Sequence, residues 1–159
     1  MAGRWPDAFE SLRRELSSDR GRPGFVDSSD TAASDLIDRL VPLVDEVISL
    51  GGRVADSDEP PTVAELFADI DGPSTMLVDI DVLFAAPLHI EVVSQLRRTA
   101  QNTALIVVWP GRIAGGRLSY SLPGRADHLD EPARALVVLR PVSADFPDEV
   151  PYTVERYPA

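Results

Sequence analysis

Apolar positions at three-to-four spacing alternate with short continuous apolar runs through Trp109, and this alternation predicts an α/β fold: a parallel sheet flanked by helices. Beyond Trp109 the pattern changes to Arg112-Ile113, a glycine turn at Ala114-Gly115-Gly116, and Arg117 to Tyr120, which predicts a C-terminal β-hairpin added to that sheet. At 159 residues the chain suits one domain with one core, expected over residues 1–140, followed by an extended proline-rich tail over 141–159.

Each element has its own signal. Trp5, Phe9, Leu12 and Leu16 mark a short amphipathic helix with Pro6 at its start. Gly24-Phe25-Val26 predicts a short strand, and the polar loop Asp27 to Ala33 follows. From Ser34, the positions Leu36, Ile37, Leu40, Val41, Val44 and Ile48 hold helical spacing; Pro42 should kink or restart that helix and Gly51-Gly52 end it. Arg53-Val54-Ala55 then reads as a second strand, before the acidic link Asp56 to Pro61. Thr62 and Glu65, three apart, form a capping box and predict a helix through Asp69. Thr75 to Phe84 reads as a buried strand ending in Asp79 and Asp81, Ile90 to Thr99 as a helix, and Ala104 to Trp109 as the most apolar strand, stopped by Pro110-Gly111. Ala135 to Leu139 is the last predicted strand.

Composition narrows the chemistry. There is no cysteine, which excludes disulfides, thiolate catalysis and cysteine-ligated metals, and two histidines, His89 and His128, cannot build a histidine-rich metal site. No apolar run approaches the roughly 20 residues of a membrane helix, and Met1 to Phe9 lacks the apolar stretch of a signal peptide, so the expectation is a cytoplasmic protein with no membrane contact. A net charge of −11 argues against non-specific nucleic-acid binding. Seven arginines against three acids between Ser94 and Arg140 leave room for an acidic partner, or for DNA held mainly by another subunit, beside the plainer reading of a solvated surface.

Three constellations could carry function. Phe25 to Val41 places strand, polar loop and helix at the spacing of a phosphate-binding loop, yet a G-x-x-x-x-G-K-[ST] template laid over Asp27 to Ser34 matches only at Ser34. All 15 basic residues are arginine, so the loop lysine is missing from the whole chain, and Asp27, Asp30 and Asp35 would repel phosphate. Asp79 and Asp81, two apart at the end of an apolar strand, would share a face and could hold Mg²⁺ or tune each other's acidity. Trp109 and Arg112 lie at the carboxyl end of the next predicted strand, where parallel α/β sheets bind ligands. Each has a plain structural alternative: an ordinary connection, acids ending a strand, a tryptophan closing a core. His89 and His128 read as surface or capping residues, with no serine nucleophile tied to either.

Residues 75–128 together resemble the C-terminal half of the small P-loop protein of type 3 bacteriophage exclusion (BREX) systems. The residues that carry this are Asp81-Val-Leu-Phe84, Pro87-Leu88, a leucine- and arginine-bearing helix, Val107-Val-Trp109-Pro110-Gly111, Gly116-Arg-Leu-Ser-Tyr120 and Pro123-Gly124. Extended upstream, the resemblance lays Phe25 to Val41 over the family's strand, phosphate loop and helix. There Ala33 stands at the lysine and Ala32 and Asp27 at glycines; downstream Asp81 falls at a family acid and Val78 where the first acid belongs.

The resemblance implies a P-loop-like domain with a degenerate nucleotide site bounded by Ser34, Asp79, Asp81, Trp109 and Arg112. Its expected role is that of a non-catalytic subunit or adaptor in a bacterial anti-phage defence complex, without cofactor, in contact with other subunits or with copies of itself. Two alternatives stay open: a weak ATPase binding Mg-ATP through Arg22, Arg53 or a partner's residue, and an interaction module unrelated to defence.

Overall fold

The computed structural model describes residues 4–29, 31–84, 91–121, 124–125 and 128–158. Helix α1 (Asp7–Ser18) precedes β1 (Gly24–Asp27) and α2 (Ala33–Leu40); β2 (Glu46–Ser49), α3 (Leu50–Ala55), α4 (Val63–Leu66) and β3 (Ser74–Val78) follow. A 3-10 turn (Ile80–Phe84) leads towards α5 (Val92–Thr99) and β4 (Ala104–Trp109). The chain ends with β5 (Arg112–Ala114), β6 (Arg117–Tyr120), β7 (Leu129–Pro132), β8 (Leu136–Pro141) and β9 (Tyr152–Tyr157).

Six strands form one sheet in the order β2-β3-β4-β1-β8-β9, parallel except for β9, and β5-β6-β7 form a separate antiparallel sheet. The α/β fold, with a parallel sheet flanked by helices and an added hairpin, is therefore as the sequence predicts. The register sets Phe25 beside Val107 and Val138, so the central strand lies between two apolar neighbours and is buried throughout.

Alternate residues of each strand feed opposite faces of the sheet. Phe25, Leu77, Val107 and Val138 pack with residues of α3, α4, α5 and the small sheet, among them Leu50, Leu66, Leu96, Ile113 and Leu118. Val26, Met76, Ile106 and Leu139 pack under α1 and α2 through Phe9, Leu12, Leu16, Leu36 and Leu40. No helix among the described residues is long and apolar enough to cross a membrane.

Several expectations change. The helix predicted from Ser34 to Ile48 ends at Leu40, before Pro42, and Glu46–Ser49 is the strand β2, whose Ile48 is buried while Val47 is exposed. Arg53-Val54-Ala55 is helical, because the Ser49 hydroxyl caps α3 by accepting the Gly52 N–H at 2.9 Å and so places both glycines inside the first turn. The strand predicted over Thr75 to Phe84 stops at Val78, where Asp79 takes φ 53° and the chain enters the 3-10 turn. Within 141–159, expected as an extended tail, Tyr152–Tyr157 pairs with β8 from Leu136 to Pro141 and belongs to the main sheet.

The Thr62 capping box is present, with the hydroxyl accepting the Glu65 N–H at 3.2 Å, although α4 ends at Leu66 rather than Asp69. Strand β7 pairs with β6 and turns the predicted hairpin into three strands. His89, Pro87-Leu88, Ile90, Pro123, Asp30 and Asp127, all singled out in the sequence, lie outside the described residues.

Candidate functional site

Parallel strands deliver their carboxyl ends to one edge of the sheet, the edge at which α/β folds bind ligands. Across that edge the strands end, in spatial order, at Ser49, Val78, Trp109, Asp27 and Pro141. Asp27 pairs in register with Trp109, and the neighbouring pair Val26–Leu139 brings Arg140 alongside Asp27.

The Asp27 carboxylate is almost wholly inside, its side chain 10% exposed. Its Oδ1 accepts from the Ser29 backbone N–H at 3.1 Å and the Ser29 hydroxyl at 2.6 Å, closing a tight turn directly after β1. Its Oδ2 accepts from Arg140 Nη1 at 2.5 Å. The same Nη1 donates to the Ile113 carbonyl oxygen, while Nε and Nη2 donate to Glu155 at 3.0 and 3.3 Å.

One guanidinium thus joins β1, β5, β8 and β9. Burial works against its charge, but the hydrogen bonds to Glu155 and Asp27 outweigh burial and hold its pKa above the ordinary value. The Arg140 hydrogen bond, aided by the Tyr157 hydroxyl at 2.8 Å, holds the Glu155 carboxyl below its usual range.

Trp109 is fully buried rather than presented to a ligand. Its ring stacks on Phe25 at 5.4 Å and meets Phe84 edge-on at 5.7 Å, while Nε1 donates to the Ser119 carbonyl oxygen at 3.1 Å. Its own carbonyl oxygen accepts the Ser28 hydroxyl, which fixes the start of the β1–α2 loop against β4. Between them Trp109 and Arg140 fasten the small sheet to the carboxyl edge, through Ser119 and Ile113 respectively.

The other expected site residues are dispersed. Asp79 and Asp81 are exposed, and neither sits in a strand, so the shared strand face predicted for them does not exist. Asp79 accepts the Ser49 hydroxyl at 2.6 Å, a bond that braces the first turn of α3. Ser34 is exposed in the first turn of α2. Arg112 is exposed at the start of β5, and its side chain forms no ion pair among the described residues. No group of three or more His, Asp or Glu side chains among the described residues is arranged to hold a metal.

Neither arginine considered as a lysine substitute reaches the edge freely. Arg22 lies before β1, at the opposite end of the sheet, and pairs with Asp19 at 3.3 Å and Glu15 at 3.9 Å. Arg53 donates at 2.8 Å to the carbonyl oxygens of Leu66 and of Ala68, tying α3 to the end of α4. The arginine that does reach the edge, Arg140, counted in the sequence only towards a charge surplus; an arginine closing the apolar run Leu136 to Leu139 was the available signal. Comparison with protein-family models, with curated proteins and with solved structures gives no match, so the reading of this edge rests on its geometry and on the residues themselves.

Proposed function

We propose that this chain is a non-catalytic subunit or adaptor of a bacterial anti-phage defence complex of the BREX kind, built on a phosphate-loop scaffold that no longer takes nucleotide. The observation that carries the non-catalytic reading is the Asp27–Arg140 pair. A phosphate-binding loop opens directly after its strand with glycines whose N–H groups converge on the anion. Here that position holds a buried carboxylate, and the one arginine beside it is already engaged by Asp27, Glu155 and Ile113.

The residues present do not fit Mg-ATP. There is no lysine for the outer phosphates, Ser29 spends its N–H on Asp27, and Asp79 is engaged by Ser49. Without such groups the developing charge of phosphoryl transfer would have no stabiliser. What remains is a rigid scaffold with exposed surfaces, and the defence setting rests on the ordered run of residues from Asp81 to Gly124.

The test is isothermal titration of the folded protein with Mg-ATP and Mg-ADP at modest salt. No binding up to millimolar nucleotide is expected; micromolar binding would overturn the reading in favour of an arginine-based nucleotide enzyme. Co-expression with the products of neighbouring genes tests the adaptor role, the expected result being a stable complex with a methyltransferase or large ATPase encoded beside it. Free chain in every combination sinks that part.

A further inference from the structure

We propose that β9 is the seam of a symmetric dimer: β9 of a second copy of this chain adds to it antiparallel, with Val154 on the two-fold axis, joining two six-stranded sheets into one. This goes beyond the adaptor reading and does not depend on it.

The backbone directions along β9 follow from its neighbours. Among the described residues it is the last strand of the sheet, so its far side is an edge. Val137, opposite Arg156, donates its N–H away from β9, to the Pro23 carbonyl oxygen at 3.0 Å; Val142 donates towards it, to the Pro151 carbonyl oxygen at 3.0 Å. Because these directions alternate residue by residue, Thr153, Glu155 and Tyr157 serve β8, and Tyr152, Val154 and Arg156 turn their N–H and C=O groups to the open edge.

Two copies sharing one sheet must set outward residues opposite outward residues, with side chains on matching faces. The register with Val154 opposite its own copy meets both conditions and uses all three outward residues, setting Tyr152 opposite Arg156 and Thr153 opposite Glu155. A shift of two residues one way brings Glu155 directly opposite Glu155, a like-charge contact that disfavours pairing. The opposite shift sets Arg156 opposite Val150, outside the strand.

Charged side chains commonly keep edge strands single. Here both are held within their own chain: Glu15 takes Arg156 through two bonds of 2.9 and 2.7 Å, and Glu155 is bound by Arg140 and Tyr157. Between α1 and β9 runs a groove of about 280 Å³ whose apolar lining includes Ala8, Leu12, Val150 and Val154. A second copy would cover it.

Sedimentation velocity of the full chain over a range of concentrations reads the state directly. A dimer is expected, and raising salt should strengthen it, because each copy carries a net charge of −11. Val154→Pro removes an outward N–H and exchanges one half-buried apolar side chain for another, a change tolerated on the open side of an edge strand, and should weaken the dimer at least about tenfold with an unchanged circular dichroism spectrum.

The chain has no cysteine, so Val154→Cys gives a second readout that holds even if the proline variant fails to fold. Directly opposed hydrogen-bonded residues lie about 5.5 Å apart at Cα, within disulfide reach. Oxidation should therefore crosslink Val154→Cys far faster than Thr153→Cys or Glu155→Cys. A monomer at every concentration, a dimer indifferent to Val154→Pro, or equal crosslinking at the three positions overturns the proposal. So does strand addition by a foreign peptide to an otherwise monomeric chain.

Discussion

Asp27 and Arg140, 113 residues apart in sequence, form an ion pair at the carboxyl edge of the sheet, with Oδ2 and Nη1 2.5 Å apart and side chains only 10% and 23% exposed. Removing one member of a buried pair costs more than the pair contributes, because the survivor stays buried without its counter-charge. The two members are not equivalent. Asp27 has Ser29 as a further donor, whereas Arg140 holds four strands.

Arg140→Met is accordingly expected to destabilise the protein by about 3 kcal/mol, and Asp27→Asn by less, since the amide keeps an oxygen for Ser29. Urea denaturation of the two variants checks the order. Equal losses would show that the cost lies in the charge pair alone and not in the bridge to β5 and β9.

Gly111 is expected to tolerate no side chain. A Cβ there would stand 1.9 Å from the Ser119 carbonyl oxygen, a backbone atom that cannot rotate away. Gly111→Ala should cost at least about 2 kcal/mol and push the small sheet off Trp109, whose Nε1 uses that same oxygen. A red shift in tryptophan emission at unchanged helix content is the predicted signature.

Two glutamates contribute to the acid limb of stability. Arg156 holds Glu15 below its usual range through a hydrogen bond, and Arg140 does the same to Glu155. In the folded state both bind fewer protons than in the unfolded chain. Their stabilisation is thus present above the unfolded value of about 4.3 and lost as pH falls through the lower folded values. Glu155→Gln should flatten the acid limb of a stability profile.

The alkaline limb runs the other way. Burial pushes the Tyr152 hydroxyl up to about 12, so the folded state keeps its proton longer than the unfolded chain does. That advantage is complete below the unfolded value of about 10 and disappears as pH rises towards 12. Tyr152→Phe should stay stable further into alkali, and tyrosinate absorbance should appear together with unfolding in the parent protein but not for this residue in the variant.

Ser49→Ala is expected to cost about 1 kcal/mol, because that hydroxyl both caps α3 and binds Asp79. Asp79→Ala and Asp81→Ala should leave nucleotide behaviour unchanged, measured by the same titration that tests the parent chain. A loss of nucleotide affinity in a folded Asp79→Ala protein would speak for a working metal site instead.

The strands with continuous apolar runs were legible in the sequence, since Phe25-Val26 and Ala104 to Trp109 are buried on both faces and leave no other explanation. The capping box was equally plain, because its two residues act on each other locally. Strands β2 and β9 were hidden for the opposite reason: both lie at sheet edges, where one side needs no apolar residue, and Glu46 and Glu155 disguised them. Of the site, Trp109 was correctly placed at a strand end, but whether it faced a ligand or the core depended on Phe84 and Ser119, which no local spacing reveals. Arg140 became visible as a hub only once β1 and β8 were adjacent.

The position of β1 has a consequence for how the chain is made. Both strands that flank it, β4 and β8, are synthesised far later than β1 itself, and β9 later still. A strand that will be buried on every side must therefore wait, unpaired, until β4 and β8 emerge, and the sheet can close only by long-range encounters, which are slow. Until then its four residues expose Phe25 and Val26, so the nascent chain passes through a long interval in which the centre of the future sheet is its most vulnerable part.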